Sequence, residues 1–419
     1  MIRGHSMARW IPPMALMVFM FYGLNMDTIL GMKRYNPYVY QIFLFFGVVL
    51  AVYVWQSVRP GAPSVLRMIT HPVMAWGILY VSISVLSLAV TYHLDYARQG
   101  ILDAVSTAAI IGAAAVAFAQ PFRPSSWQAG RVAVWILVVA CVSLLLDPIM
   151  DFRARLPTDW PSAYDRTRAG GIFFQPNIAA SAVPFLLATV IARVRPRLGL
   201  VCAVLSVAAV ALTFSRSGLF LLTLVITMGY SRGYLPRGWS LVAMLVCALT
   251  LAWFQGSMVA EEVFHIDEGS GLARLRRTYD FVSREALSSD ARVDVAMVAW
   301  NDVGRAPLVG GGVGYSWYWA DSRDSLQGPH NMYLRHMLEY GLLGALLWPL
   351  FLLALYKARN RVLDRAWVIG VLATAFIAGM FSHNLTEQGV FLVPLMGAIS
   401  LPAPTRFRRG ASDRGPEPS

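Results

Sequence analysis

Long apolar runs recur along the whole chain, separated by short polar connections. A helix needs roughly 20 apolar residues to cross the hydrocarbon core of a bilayer. Runs near this length predict about twelve transmembrane helices, over 11–30, 37–56, 71–92, 100–121, 130–150, 172–193, 198–215, 217–231, 240–256, 332–356, 366–384 and 388–403. The eighth run is short and could form a hairpin or a broken helix with the seventh. The pattern predicts an all-α, polytopic integral membrane protein.

The spacing of these runs divides the chain into four parts. Residues 1–255 are expected to hold nine transmembrane helices with short loops, residues 256–329 a long loop, residues 330–404 three more helices, and residues 405–419 a basic tail. The long loop contains helix-like stretches such as "VDVAMVAWNDV". Such a pattern is typical of a small folded cap.

Basic residues concentrate in every second connection, and this bias predicts the orientation. The connections with few acids hold Arg59 and Arg67; Arg123 and Arg131; Arg193, Arg195 and Arg197; Arg232 and Arg237; and Lys357, Arg359, Arg361 and Arg365. Positively charged loops stay in the cytoplasm. Both termini are therefore expected to be cytoplasmic, with the connections 151–171 and 256–329 on the opposite face.

The composition agrees with a membrane protein. Hydrophobic residues make up 57% of the 419 residues and charged residues only 14%, whereas a soluble protein has roughly 25% charged residues. In this setting the net charge of +12 indicates loops facing anionic lipid, and nucleic-acid binding is not expected. Cys141, Cys202 and Cys247 all lie in apolar runs, where they are interpreted as packing residues.

Two arginines stand out on the non-cytoplasmic side. Arg216, in "LTFSRSGLF", lies in a connection so short that its guanidinium must be near the membrane boundary. It could bind an anionic substrate or reach to lipid headgroups. Arg292, in "SSDARVDVAMVAW", could do the same or pair with Asp290 and Asp294. A metal bound by these two aspartates is disfavoured, because neither a histidine nor a third carboxylate is near.

A third polar cluster lies where the tenth apolar run begins, in "GPHNMYLRHMLEYGLLG". Asn331 is a good helix cap. His330 is not explained by capping, and it could be a catalytic base or an interfacial side chain bound to headgroups. Arg335 and Glu339 are four residues apart on one helical face and are expected to pair toward the interior. Rival candidates for the base are His336, His93 and His383, the last beside Asn384 and Glu387.

Two glycine-containing stretches complete the candidates. In "DRTRAGGIFFQPNIAAS", Gly170 and Gly171 allow close approach of the chain, and Pro176–Asn177 is expected to break or kink the sixth span. Broken membrane helices often line polar cavities. In "VGGGVGYS" the glycines could cradle a phosphate, but a flexible turn is favoured because no basic residue follows.

Arginines and a histidine on one face suit an anionic, lipid-linked substrate. Arginine binds phosphate oxygens bidentately and would stabilise a departing pyrophosphate. Histidine can take a proton from an attacking hydroxyl near neutral pH. The first outer loop offers only Asp27, which disfavours a metal-dependent glycosyltransferase. No metal or other cofactor is therefore expected.

Four stretches together resemble the bacterial O-antigen ligases and the related polymerases and protein O-glycosylating enzymes. They are "RAGGIFFQPNIAAS", "LTFSRSGLF", "DARVDVAMVAWNDVGRAPLVGGGVGYSWYWA" and "GPHNMYLRHMLEYGLLGALL", in the family's order. The resemblance implies a GT-C-like glycosyltransferase of the bacterial inner membrane with a periplasmic active site. It would transfer a glycan from undecaprenyl pyrophosphate to lipid A–core.

The resemblance also implies roles for particular residues. His330 would be the catalytic base, Arg216 and Arg292 would bind the pyrophosphate, and Arg168 and Asn331 would contribute to substrate binding. The chain length and the single long loop favour a ligase. Alternatives are an O-antigen polymerase, a protein O-oligosaccharyltransferase or, from another class, a flippase for lipid-linked polysaccharide, which would need arginines through the membrane depth and would not need His330.

Overall fold

The fold of the protein is known from a computed structural model that describes residues 14–31, 37–58, 70–118, 124–150, 152, 168–213, 215–236, 294–323, 328–382 and 384–404. These residues form helices and connections, with no β-strand among them. The helices are α1 (Met14–Gly23), α2 (Met26–Gly31), α3 (Pro37–Val58), α4 (Pro72–Leu86), α5 (Leu94–Phe118), α6 (Ser126–Met150), α7 (Pro176–Ile191), α8 (Pro196–Ala211), α9 (Arg216–Ser231), α10 (294–303), α11 (Tyr315–Asp321), α12 (Met332–Tyr340), α13 (Leu347–Ala358), α14 (Arg365–Phe381) and α15 (Gly389–Ser400).

The described residues are all-helical, and the length and apolar composition of their helices are consistent with a membrane protein. Within the described ranges, three helices are long and apolar enough to cross a bilayer, namely Pro72–Val90, Leu94–Phe118 and Ser126–Met150. Seven further apolar helices have 10–17 residues each. The expected span over 240–256 and the basic tail after residue 404 lie outside the described residues.

Two of the expected continuous spans are interrupted. The run 11–30 divides into α1 and α2 at Asn25, whose φ is +56°. The run 332–356 divides at Gly341, whose φ is +68°. A Cβ atom on Gly341 would lie only 2.5 Å from the backbone of Leu308. The prediction of one long helix after His330 is therefore wrong, because the chain turns at Gly341 and α12 has only nine residues.

The sixth expected span, 172–193, is broken as predicted, immediately before Pro176–Asn177: a 3-10 turn over Gly171–Phe173 and the left-handed Phe174, whose φ is +59°, precede α7. Pro176 stands in the first turn of α7, where its missing N–H costs no hydrogen bond and its fixed φ favours the helix. A second proline, Pro184, lies inside α7. The short seventh and eighth runs become α8 and α9, which are separated by only four residues of sequence.

Contacts between helix ends define two opposite ends of the bundle. The guanidinium of Arg193, just after α7, donates to the carbonyls of Gly397 (2.8 Å) and Leu401 (2.7 Å) at the end of α15. Arg232, just after α9, pairs with Asp364 before α14, with its Nε 2.5 Å from the carboxylate. We call this the basic end. The opposite end, where α7, α9 and α12 begin and α14 finishes, is the site end.

Candidate functional site

His330 occupies an unusual backbone conformation at the site end. Its φ is +48°, in the left-handed region that side chains other than glycine rarely adopt. Pro329 before it is buried, and His330 itself is partly exposed. Strain of this kind persists only where the surroundings enforce it, and it clusters at functional sites. The histidine is therefore presented by a fixed turn and not by a freely rotating loop end.

The residue after His330 begins α12. The side-chain oxygen of Asn331 accepts hydrogen bonds from the backbone N–H groups of Tyr333 (2.9 Å) and Leu334 (3.1 Å). The capping role expected for Asn331 is thus present. In the same turn the Tyr333 hydroxyl donates to the carbonyl of Phe376 on α14 at 2.8 Å. These bonds fix the start of α12 against the end of α14.

Arg216 is the first residue of α9 and lies at the same end of the bundle. Ser215 caps the helix by accepting from the Gly218 N–H at 3.3 Å. The Arg216 side chain is exposed and makes no hydrogen bond or ion pair with the described residues. One turn later, Phe220 contacts Phe381 with ring centroids 6.2 Å apart. Helix α14 therefore contacts the second turn of α9 and the first turn of α12.

Arg168 is buried beside the connection that leads to Arg216. Its Nε donates to the carbonyl of Thr213 (2.9 Å) and its NH2 donates to the side-chain oxygen of Asn177 (2.9 Å). Close approach at Gly171, as expected, is required: its φ is +51°, and a Cβ would lie 2.5 Å from the Ser143 hydroxyl. Arg168 is thereby held rigidly at the site end. Its partner Thr213 lies three residues before Arg216 in the sequence.

Arg292 and Asp290 lie outside the described residues, which resume at Asp294, an exposed residue at the start of α10. Helix α10 is tied to α11 by the buried Asp302, whose carboxylate accepts from Trp319 Nε1 (2.6 Å) and pairs with Arg323 (2.5 Å). Partial burial raises the pKa of the Tyr315 hydroxyl on α11, and the negative charge of Asp302 raises this pKa further. Within the described ranges no group of three or more His, Cys, Asp or Glu side chains could hold a metal ion.

The stretch "VGGGVGYS" packs its backbone against its neighbours. The N–H groups of Gly311 and Gly312 donate to the carbonyls of Leu338 (2.8 Å) and Glu339 (3.0 Å) at the end of α12. A Cβ on Gly314 would lie 2.1 Å from the Tyr96 carbonyl oxygen. These glycines therefore satisfy the last carbonyls of α12 and allow close packing, and the two N–H groups are not available to a phosphate.

A buried cluster of charged side chains surrounds Arg335 on α12. The guanidinium NH2 lies 3.3 Å from Asp103 on α5, its Nε lies 3.8 Å from Glu339, and its NH1 pairs with Glu387. We call these four residues the Arg335 cluster. The expected pairing of Arg335 with Glu339 is confirmed. Asp103 was not singled out from the sequence, although an aspartate inside a long apolar run is a signal that could have found it.

The rival histidines are placed differently from His330. His336 is only 1% exposed and lies among aromatic rings, edge-on to Tyr80 and stacked near Tyr340. His93 stacks on Tyr318, with centroids 3.4 Å apart. His383 lies outside the described residues. A buried imidazole such as His336 cannot reach an acceptor molecule without rearrangement of α12.

Comparison with known protein families identifies one part of the chain. Residues 201–348 match the model of the family described as O-antigen ligase. The matched segment contains Arg216, His330 and Arg335, whereas Arg168 and Asp103 precede it. No curated protein matches the chain. The resemblance inferred from the four sequence stretches is therefore confirmed over residues 201–348, which are similar to the O-antigen ligase family, a family of membrane glycosyltransferase-like enzymes.

Proposed function

We propose that the protein is an O-antigen ligase, which transfers a glycan from undecaprenyl pyrophosphate to lipid A–core. The observation that carries the proposal is the position of His330. It lies within the matched segment, in a strained turn at the start of a capped helix. A base for an acceptor hydroxyl needs such a fixed and accessible position, because proton transfer requires the acceptor within hydrogen-bond reach.

In this mechanism the neutral imidazole of His330 takes the proton of the acceptor hydroxyl as the oxygen attacks the anomeric carbon. The new glycosidic bond forms while the bond to the pyrophosphate oxygen breaks. Undecaprenyl pyrophosphate departs from the opposite face of the sugar, so the anomeric configuration is inverted. General-base catalysis of this kind contributes about 10²–10⁴-fold.

Arginines would stabilise the leaving group. Arg216 is exposed at the start of α9, where the helix N-terminus itself favours an anion. Arg168 lies buried beside the same connection, oriented by Asn177. Arg292 is proposed as a third contributor on its sequence motif. Fixed cations near the departing pyrophosphate lower the barrier, so the reaction is proposed to need no divalent metal and no other cofactor.

The proposed orientation places the site end in the periplasm and the basic end in the cytoplasm of a bacterial inner membrane. Basic residues gather at the basic end, namely Arg193, Arg195, Arg197, Arg232, Lys357, Arg359, Arg361 and Arg365. Positively charged connections favour the cytoplasm. Both termini would then be cytoplasmic, and lipid-linked donor and acceptor would reach His330 along the outer leaflet.

The reaction class is tested by the lipopolysaccharide of a strain that lacks the gene. Loss of all glycan attached to lipid A–core, with restoration by the intact gene, is the result expected for a ligase. Core that carries a single repeat unit would assign the protein as a polymerase instead. An unchanged lipopolysaccharide together with loss of glycan from secreted proteins would assign it as a protein O-oligosaccharyltransferase.

A further inference from the structure

The Arg335 cluster joins α12 to three other parts of the fold. Asp103 comes from α5, and Glu387 comes from the 3-10 turn Leu385–Glu387 before α15. Ser316 on α11 accepts a hydrogen bond from Arg335 Nε at 3.3 Å. All four side chains of the cluster are largely buried, Arg335 at 4% exposure and Glu387 at 16%. One guanidinium thus fixes the rotation and position of a nine-residue helix that alone would be too short to be stable.

Asp103 is itself held by several donors. Its Oδ1 accepts from the Tyr38 hydroxyl (2.6 Å) and from Gln99 (3.2 Å), and its Oδ2 accepts from Trp317 Nε1 (2.9 Å). The carboxylate that anchors Arg335 therefore does not move independently of α3, α5 and α11. The cluster forms a rigid support below the first turn of α12.

This support is one helical turn from the candidate base. The Arg335 N–H donates to the Asn331 carbonyl at 3.0 Å, and Asn331 directly follows His330. The positive φ of His330 can relax if the start of α12 shifts, because histidine prefers the ordinary right-handed or extended regions. Some interaction must therefore hold the helix start in place.

We propose that Arg335 is a positioning residue for His330: the ion pairs with Asp103, Glu339 and Glu387 hold the start of α12 so that the imidazole stays in its strained, productive orientation. The proposal rests on the proposed role of His330 as the base. Arg335 is buried and does not touch the substrate; it acts through the backbone of α12.

The composition of the cluster predicts which substitutions matter most. Three carboxyl groups face one guanidinium, so acidic groups are in surplus, and an uncompensated buried charge is costly. Glu387→Gln removes one carboxylate and leaves Arg335 with two. Arg335→Lys keeps the charge but loses the planar fork that reaches several partners at once. The lysine substitution should therefore impair the enzyme more than the glutamine substitution.

A buried arginine could instead serve only to hold the bundle together, and the basic end supplies a matched control. Arg193 is likewise buried, with 5% exposure, and it donates to the carbonyls of Thr189 (2.8 Å), Gly397 (2.8 Å) and Leu401 (2.7 Å). It lies at the end of the bundle remote from His330. Arg193→Lys should lower the yield or thermal stability of folded protein while each folded molecule keeps the activity of the wild type.

The test compares full-length wild type, Arg335→Lys, Glu387→Gln and Arg193→Lys in lipid nanodiscs, with undecaprenyl-pyrophosphate-linked glycan and purified lipid A–core. Rates are normalised to folded protein, and kcat, both KM values and donor binding are measured. Since misplacement of a catalytic group by about 1 Å can cost roughly 10²-fold, Arg335→Lys is expected to lose at least tenfold in kcat. Its donor binding should stay within about twofold of wild type, since the pyrophosphate is bound elsewhere.

Ser316→Ala provides a milder variant should Arg335→Lys not fold, because it removes the hydrogen bonds of the Ser316 hydroxyl with Arg335 and Glu339 within the cluster but no charge. A severalfold loss of kcat without change in donor binding supports the proposal. Wild-type kcat per folded molecule in Ser316→Ala and in any folded Arg335→Lys overturns it. If His330→Ala still transfers glycan, the proposed function fails; if only the Arg335 and Ser316 variants are normal, this inference alone fails.

Discussion

The backbone N–H of Arg335 donates to the carbonyl of Asn331 at 3.0 Å, so the residue that caps α12 is bonded to the residue at the centre of the buried charge cluster. Asn331 follows His330 directly, and Arg335 reaches α5 through Asp103. The first turn of α12 therefore connects a strained histidine at the site end with the interior of the bundle.

His330→Ala should abolish glycan transfer while donor binding remains. Loss of a general base lowers kcat by about 10²–10⁴-fold, and the arginines that bind the pyrophosphate are unchanged. His336→Phe is the matched control, because His336 is buried among Tyr80 and Tyr340 and an aromatic ring preserves that packing. Transfer at the wild-type rate by His330→Ala, or a product with retained anomeric configuration, would exclude the assigned role.

Arg216→Ala should weaken donor binding and slow transfer, and Arg216→Lys should recover only part of the loss, since lysine cannot bind two phosphate oxygens in a planar fork. Arg292→Ala is expected to behave similarly on its sequence motif. Arg232→Ala is the control: this arginine is also partly exposed, with 42% of its side chain accessible, but it lies at the basic end and pairs with Asp364. Equal donor binding by Arg216→Ala and Arg232→Ala would contradict the prediction.

Asn331→Ala should lower the free energy of unfolding by about 1 kcal/mol, because a helix cap is lost. Asn331→Ser retains an oxygen that can accept from the N–H groups of Tyr333 and Leu334, as Asn331 does now. Comparison of thermal stability with donor binding separates the two roles assigned to Asn331. If Asn331→Ser restores stability and also restores donor binding, the amide has no separate part in binding substrate.

Purified enzyme should keep its activity after dialysis against EDTA, because cationic side chains are proposed to neutralise the pyrophosphate. The measurement is glycan transfer with and without added magnesium or manganese, in buffer treated to remove trace metals. Strict dependence on an added divalent ion would refute the arginine-only mechanism. Asp290 and Asp294 would then become candidate metal ligands.

Gly341→Ala should destabilise the protein by roughly 1–3 kcal/mol, the cost of a residue held in an unfavourable backbone region. Gly341 has φ +68°, and an added Cβ would lie 2.5 Å from the backbone of Leu308. Gly47→Ala is the control, because nothing lies within 4 Å of a Cβ at that helical position. Equal thermal stability of the two variants would show that the chain does not need to turn at Gly341.

The helical class of the protein and its similarity to the O-antigen ligase family over residues 201–348 could be predicted from the sequence, since both depend on local patterns. Apolar runs of membrane-spanning length require helices, because a backbone in lipid must satisfy its own hydrogen bonds. The ordered motifs around Arg216 and His330 carried the family resemblance. Capping by Asn331 and pairing of Arg335 with Glu339 were predictable for the same reason, as each involves neighbours on one helical turn.

Some features of the fold depend on contacts between residues that are distant in the sequence, and these features were decided by the tertiary structure alone. The break at Gly341 depends on the backbone of Leu308, which no local pattern contains. Asp103 and Glu387 are 232 and 52 positions from Arg335 in the chain, so their convergence on one guanidinium depends on how α5, α12 and the turn before α15 pack. Hydrophobic periodicity records which residues avoid water, but it does not record which helices become neighbours.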